Sequence, residues 1–196
     1  MIVVFGGAFN PVTNAHLEVC NFVQKKFPDS TFLFLPVSSA YTKSSLASNY
    51  DRLSMLELAL HGKKNVVVSQ MEMQDSDFLG TYQSLIRLSD SFLEDIYFVV
   101  GADNLIGMEK WINIDGILSD FKIIILGRND LDIDALINNN NVLKRHASRF
   151  IIFKDFSLDI SSTGFRENMD ETMVPPSVYR YIKDNELYKG DDDDVS

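Results

Sequence analysis

What most constrains this chain is an alternation repeated along most of its length: short, largely apolar runs, each separated from the next by stretches with helix-like spacing. The runs occupy residues 2–5, 32–36, 66–69, 96–100, 122–126 and 150–153. Apolar residues in a row, without polar alternation, fit a strand covered on both faces. Between them come Val19, Phe22 and Val23, then Leu53, Leu56 and Leu60, then Tyr82, Leu85, Ile86 and Leu88, each set spaced to share one side of a helix. Strands alternating with helices build βαβ units with parallel pairing and right-handed crossovers. The expected fold is therefore α/β, a doubly wound domain around a mostly parallel sheet. With 196 residues and no Gly/Ser or Pro linker, a single domain is expected over 1–190. The acidic stretch 191–196 is expected to be disordered, and the polar tract 138–141 to form a surface loop.

Composition narrows the function. No stretch of about 18 consecutive apolar residues occurs, so no membrane span is expected. The chain opens on a strand-like run without a basic leader, and its single Cys20 cannot form an internal disulfide, which predicts a reducing, cytoplasmic setting. A formal charge of −10 argues against nucleic acid or a membrane surface as partner. An anionic ligand would need locally concentrated positive charge.

Two stretches could supply it. "GGAFNPVTNAH", residues 6–16, follows the first strand directly. In an open parallel sheet the ligand crevice lies at the carboxyl ends of the strands, where Gly6 and Gly7 fall. Glycines there allow close backbone approach, the amides at the following helix start form an anion site, and phosphate is the natural guest. Thr13 can cap that helix or offer its hydroxyl to the anion, and His16 in the first turn can donate to it. "DISSTGFRE", residues 159–167, sets Ser161, Ser162 and Thr163 at a second helix start with Arg166 one turn on, a second phosphate grip. Taken singly, each stretch also fits an ordinary capped helix with a solvated His or Arg. Neither G-x-G-x-x-G nor G-x-x-x-x-G-K-[ST] occurs, which weakens dinucleotide oxidoreductase and P-loop readings.

As a pair, the two stretches resemble motifs of one family. "GGAFNPVTNAH" resembles the (H/T)-x-G-H motif of the nucleotidyltransferase superfamily, and "ISSTGFR" the I-S-S-T-x-[IV]-R motif of its nicotinate/nicotinamide mononucleotide adenylyltransferases. "PVSSAYTKSSL", "YDRLSML", "GTYQSL", "GADNL" with the later "KW", "GR" and "VPPSVYRYIKDNELY" extend the resemblance along nearly the whole chain. It implies a single Rossmann-like domain and a reaction in which ATP and a pyridine mononucleotide give a dinucleotide and pyrophosphate, with Mg2+ bound chiefly by the triphosphate and no protein metal ligand assigned.

The resemblance also implies roles. The backbone of Gly6, Gly7, Ala8 and Phe9 would lie against ATP; His16 would donate to its α-phosphate, with Thr13 touching the phosphates beside it. Lys43 and Arg52 would hold phosphate charge across the site, and Ser161, Ser162, Thr163 and Arg166 the departing β- and γ-phosphates. Gly101, Asp103 and Arg128 would line the adenosine pocket, Asp103 accepting from a ribose hydroxyl. Thr81, Tyr82 and Trp111 would bind the pyridine side, the indole stacking on the cationic ring. For Trp111 and Tyr82 core packing is the competing reading. The chain departs from the bacterial motif at Thr13 and Ala15, where His and Gly are usual. Another transferase of the superfamily, such as a pantetheine-phosphate adenylyltransferase or a cytidylyltransferase, and a non-catalytic nucleotide sensor stay open as alternatives, as do the nicotinate-or-nicotinamide preference and a homo-oligomer.

Overall fold

The computed structural model describes residues 1–41, 46–128, 131–156 and 162–188. Six strands are connected by helices and short turns: β1 (Ile2–Gly7), α1 (Asn14–Lys26), β2 (Thr31–Pro36), α2 (Asn49–Leu60), β3 (Val66–Val68), α3 (Thr81–Phe92), β4 (Ile96–Gly101), α4 (Ile114–Asp120), β5 (Lys122–Leu126), α5 (Ile133–Asn138), α6 (Asn141–Arg145), β6 (Phe150–Phe153), α7 (Ser162–Asn168) and α8 (Pro176–Asp184). All strands run parallel, in the order β3-β2-β1-β4-β5-β6. The order reverses between β1 and β4, the topological switch point at which α/β sheets bind ligands.

Alternate residues of each central strand feed two separate cores. Ile2, Val4, Phe98, Val100, Ile123 and Ile125 pack on one face against α3, α4, α5 and α6, through Leu85, Leu88, Ile117, Ile137 and Leu143. Val3, Phe32, Phe34, Val99 and Ile124 pack on the other against α1, α2, α7 and α8, through Val19, Val23, Leu56, Phe165 and Ile182. The sheet is thus covered on both faces, as its apolar runs require. The expectation of two-sided burial fails at its edges: no residue of β3 or β6 is fully buried. Each has a neighbour strand on one side only. The Asn tract also differs from a plain loop. Asn138 closes α5, and the Asn140 side chain accepts from the Val142 and Leu143 amides to start α6. No helix among the described residues is long and apolar enough to cross a membrane. The tail 191–196 lies outside the described residues.

Candidate active site

Strand register opens the site. β1 pairs with β4 only as far as Phe5 opposite Val99, whereas its pairing with β2 continues through Gly6 and Gly7. Beyond Phe5 the two central strands part, and Gly6 and Gly7 form the floor of the gap. Two cavities meet on them. One, of about 280 Å3, is lined by Phe5, Gly6, Gly7, His16, Gly101, Asn104, Gly127, Arg128, Phe156 and Ser162, among others. The second, of about 210 Å3, shares Phe5, Gly6, Gly7, Val99, Gly101 and Asn104 and adds Glu72, Phe78, Thr81, Phe98 and Trp111. Gly127 admits no side chain: a Cβ there would sit 2.5 Å from the Lys154 carbonyl oxygen and 2.6 Å from that of Phe156.

The loop after β1 is held by donors from distant parts of the chain. Arg52 Nη1 donates to the Ala8 carbonyl at 2.6 Å, Arg166 Nη1 to that of Asn10 at 2.6 Å, and Ser162 Oγ to that of Pro11 at 2.9 Å. The Asn10 side-chain oxygen accepts from the Ala47 amide at 3.0 Å and the Tyr188 hydroxyl at 2.8 Å. Phe9, 2% exposed, adopts φ 47°, a conformation that non-glycine residues rarely take and that this network holds in place. The second motif is therefore docked onto the first.

His16 stands in the third position of α1, edge-on to Phe9 with centroids 5.1 Å apart. Its Nδ1 lies 2.9 Å from the Thr13 amide and 2.9 Å from the Thr13 hydroxyl. An amide only donates, so Nδ1 is the unprotonated nitrogen and Nε2 carries the hydrogen. Burial, and then the nearby Arg128 charge, lower its pKa to about 4, leaving a neutral imidazole at pH 7.

The expected site residues divide. Gly6, Gly7, His16, Gly101, Arg128 and Ser162 come together around the first cavity, and Thr81 and Trp111 around the second. Ala8 and Phe9 follow the shared floor, and Arg166 bridges the Asn10 carbonyl and Thr163 Oγ1. Lys43 and Ser161 lie outside the described residues. Three expectations need correction. Arg52 is 0% exposed, and its guanidinium donates to Ala47, Ala8, Val37 and the Asn49 side chain, so it braces the loop instead of meeting a substrate phosphate. Thr13 is fully buried and orients His16 rather than touching phosphate. Tyr82 lines neither cavity; from α3 it packs onto α4 near Phe121 and donates to Asp120 at 2.8 Å. Asp103, its side chain 41% exposed, faces Arg128 of the first cavity at 3.4 Å, so its expected place beside the adenosine pocket stands as a proposal. Sequence reasoning missed Glu72, Phe78, Asn104 and Phe156. Asn104 lies inside the quoted GADNL stretch, where it could have been singled out, but nothing in the sequence singles out one glutamate in an acidic chain.

A family model described as Cytidylyltransferase-like matches residues 4–168, a span that takes in both motifs. The chain belongs to that family. Among its cytidylyltransferase-like relatives, a protein of Acholeplasma laidlawii named "Probable nicotinate-nucleotide adenylyltransferase" is 31% identical over 192 residues, covering 96% of this chain and 98% of its own. A protein of the same name from Clostridium acetobutylicum is 30% identical over 194 residues, covering 94% and 97%. In fold the chain is similar to a Plasmodium falciparum nicotinic acid mononucleotide adenylyltransferase complexed with NaAD, with a TM-score of 0.75 at 16% identity over 95% of this chain and 96% of the other.

Proposed function

We propose that this chain joins the AMP moiety of ATP to nicotinate mononucleotide, giving deamido-NAD and pyrophosphate, a step of NAD biosynthesis. The observation that carries the reading is the pair of cavities meeting on Gly6 and Gly7, one holding His16, Arg128 and Ser162, the other Thr81 and Trp111. Two nucleotides seated there would meet over the switch point, and relatives covering nearly the whole chain carry the corresponding name.

In this reading the mononucleotide 5′-phosphate oxygen attacks the α-phosphorus of ATP. A new O–P bond forms as the bond to the β-phosphate oxygen breaks, and pyrophosphate carries away the electron pair. Catalysis rests on positioning and on stabilising developing charge. His16 Nε2–H donates to the α-phosphate, its direction fixed by Thr13. Arg128, Ser162, Thr163 and Arg166, together with Ser161, hold the triphosphate, Lys43 holds phosphate charge on the mononucleotide side, and Gly101 admits the adenosine. Trp111 stacks on the pyridinium and Thr81 bonds its substituent. The described lining of the first cavity offers donors and Arg128 but no carboxylate, so Mg2+ would be held there by phosphate oxygens and waters and not by protein ligands; when bound it would neutralise triphosphate charge.

The test is product identification. Protein incubated with ATP, Mg2+ and nicotinate mononucleotide should yield deamido-NAD and pyrophosphate in equal amounts by mass spectrometry. No dinucleotide from either nicotinate or nicotinamide mononucleotide would overturn the reading.

A further inference from the structure

Glu72 lines the second cavity with Thr81, Phe78 and Trp111, and it is the one carboxylate among the described residues lining either cavity. It is 4% exposed, and its Oε1 accepts from the Ser84 hydroxyl of α3 at 2.5 Å. Charged groups acting on it include Asp75, on its own segment, and Arg87 of α3, which pair with each other at 2.7 Å. Burial chiefly raises its pKa; Asp75 raises it further, while the Ser84 bond and Arg87 oppose this. Its carboxyl therefore keeps its proton to higher pH than an exposed carboxyl does.

The two pyridine mononucleotides differ only in the ring substituent, an anionic carboxylate or a neutral carboxamide. Thr81, at the first turn of α3, brings a helix N-terminus to the cavity, which favours an anion. An ionised Glu72 opposes it, because a second carboxylate in the same cavity repels the first while both are charged. A neutral Glu72 instead offers an O–H to the substrate carboxylate. Resting on the adenylyltransferase reading above, we infer that Glu72 sets the choice of ring substituent: nicotinate mononucleotide binds with Glu72 protonated, taking up one proton from solvent, whereas the carboxamide binds without that requirement. Glu72 thereby acts as a specificity determinant outside the phosphate motifs.

The measurement is kcat/KM for nicotinate against nicotinamide mononucleotide, at saturating ATP and Mg2+, from pH 6 to pH 9. Their common phosphate and His16 titrate alike with either substrate and cancel in the ratio. The wild-type preference for nicotinate should fall as pH rises, approaching about tenfold per pH unit once Glu72 ionises, the slope of a single coupled proton. Glu72→Gln should flatten the ratio. Ser84→Ala removes a bond that favours the ionised form, so it should move the fall to higher pH. A flat wild-type ratio overturns the inference whether or not Glu72→Gln folds, and so does an unchanged slope in folded Glu72→Gln. A wild-type protein inactive with both mononucleotides at every pH would instead overturn the adenylyltransferase reading itself.

Discussion

His16 gains its chemistry from two neighbours that spacing alone does not reveal as partners. The Thr13 amide fixes Nδ1 as acceptor and so turns Nε2–H outward, while burial beside Phe5 and Phe9 keeps the ring neutral. A histidine with a native pKa of about 4, below its ordinary 6.5, binds a proton in the unfolded chain that the folded protein refuses between those values. Stability from this group is therefore complete above about pH 6.5 and is lost as pH falls toward 4. His16→Gln should lose less stability than wild type when urea unfolding is moved from pH 7 to pH 4.5; equal losses would mean that the ring is protonated in the fold. At this scale the sequence disclosed identities and hid directions. His16, Trp111 and Ser162 are legible because a motif fixes both residue and place. Thr13 was legible as a helix cap, but its turn toward an imidazole depends on side-chain geometry. Glu72 was illegible because only the folded chain brings it into the lining of the second cavity.

The loop between β1 and α1 is a secondary element in all but name, held by side chains from α2, α7 and the segment after α8. Arg52 is its central brace. The phosphate role of Arg52 was implied by the resemblance alone, and the general rarity of buried charged side chains gave no reason to expect otherwise. Here four hydrogen bonds to protein oxygens make that burial tolerable. Arg52→Ala orphans the carbonyls of Ala8, Val37 and Ala47, each costing about 1–3 kcal/mol if left without a partner. The expected result is a large fall in the urea midpoint. A variant as stable as wild type but with a raised mononucleotide KM would restore the phosphate role. The strands themselves were legible in place, because uninterrupted apolar runs have few other uses. Their differing burial was not, since the sequence does not say which strands become the edges; β3 and β6 did.

Across the whole molecule, the strand order places one gap in the sheet and the chain fills it from both ends: residues 6–16 from the start, 162–166 and Tyr188 from the finish. This long-range closure explains why two motifs about 150 positions apart read as a pair. It also reconciles an acidic protein of net charge −10 with an anionic substrate, since Arg128 and Arg166 stand beside the helix starts of the site. The α/β class was legible from alternation alone; the splitting of the gap into two cavities was not, because it follows from where β1 and β4 stop pairing. The central claim is that adenylyl transfer occurs in this gap with His16 donating to the α-phosphate. Its most direct test is the initial rate of pyrophosphate release from ATP, Mg2+ and nicotinate mononucleotide by wild type and His16→Ala side by side. Wild type should release pyrophosphate only with the mononucleotide present, and, with ATP KM little changed, the variant should show a kcat lower by about 100-fold or more, the usual cost of losing one transition-state donor. A folded His16→Ala protein that turns over as fast as wild type would contradict it.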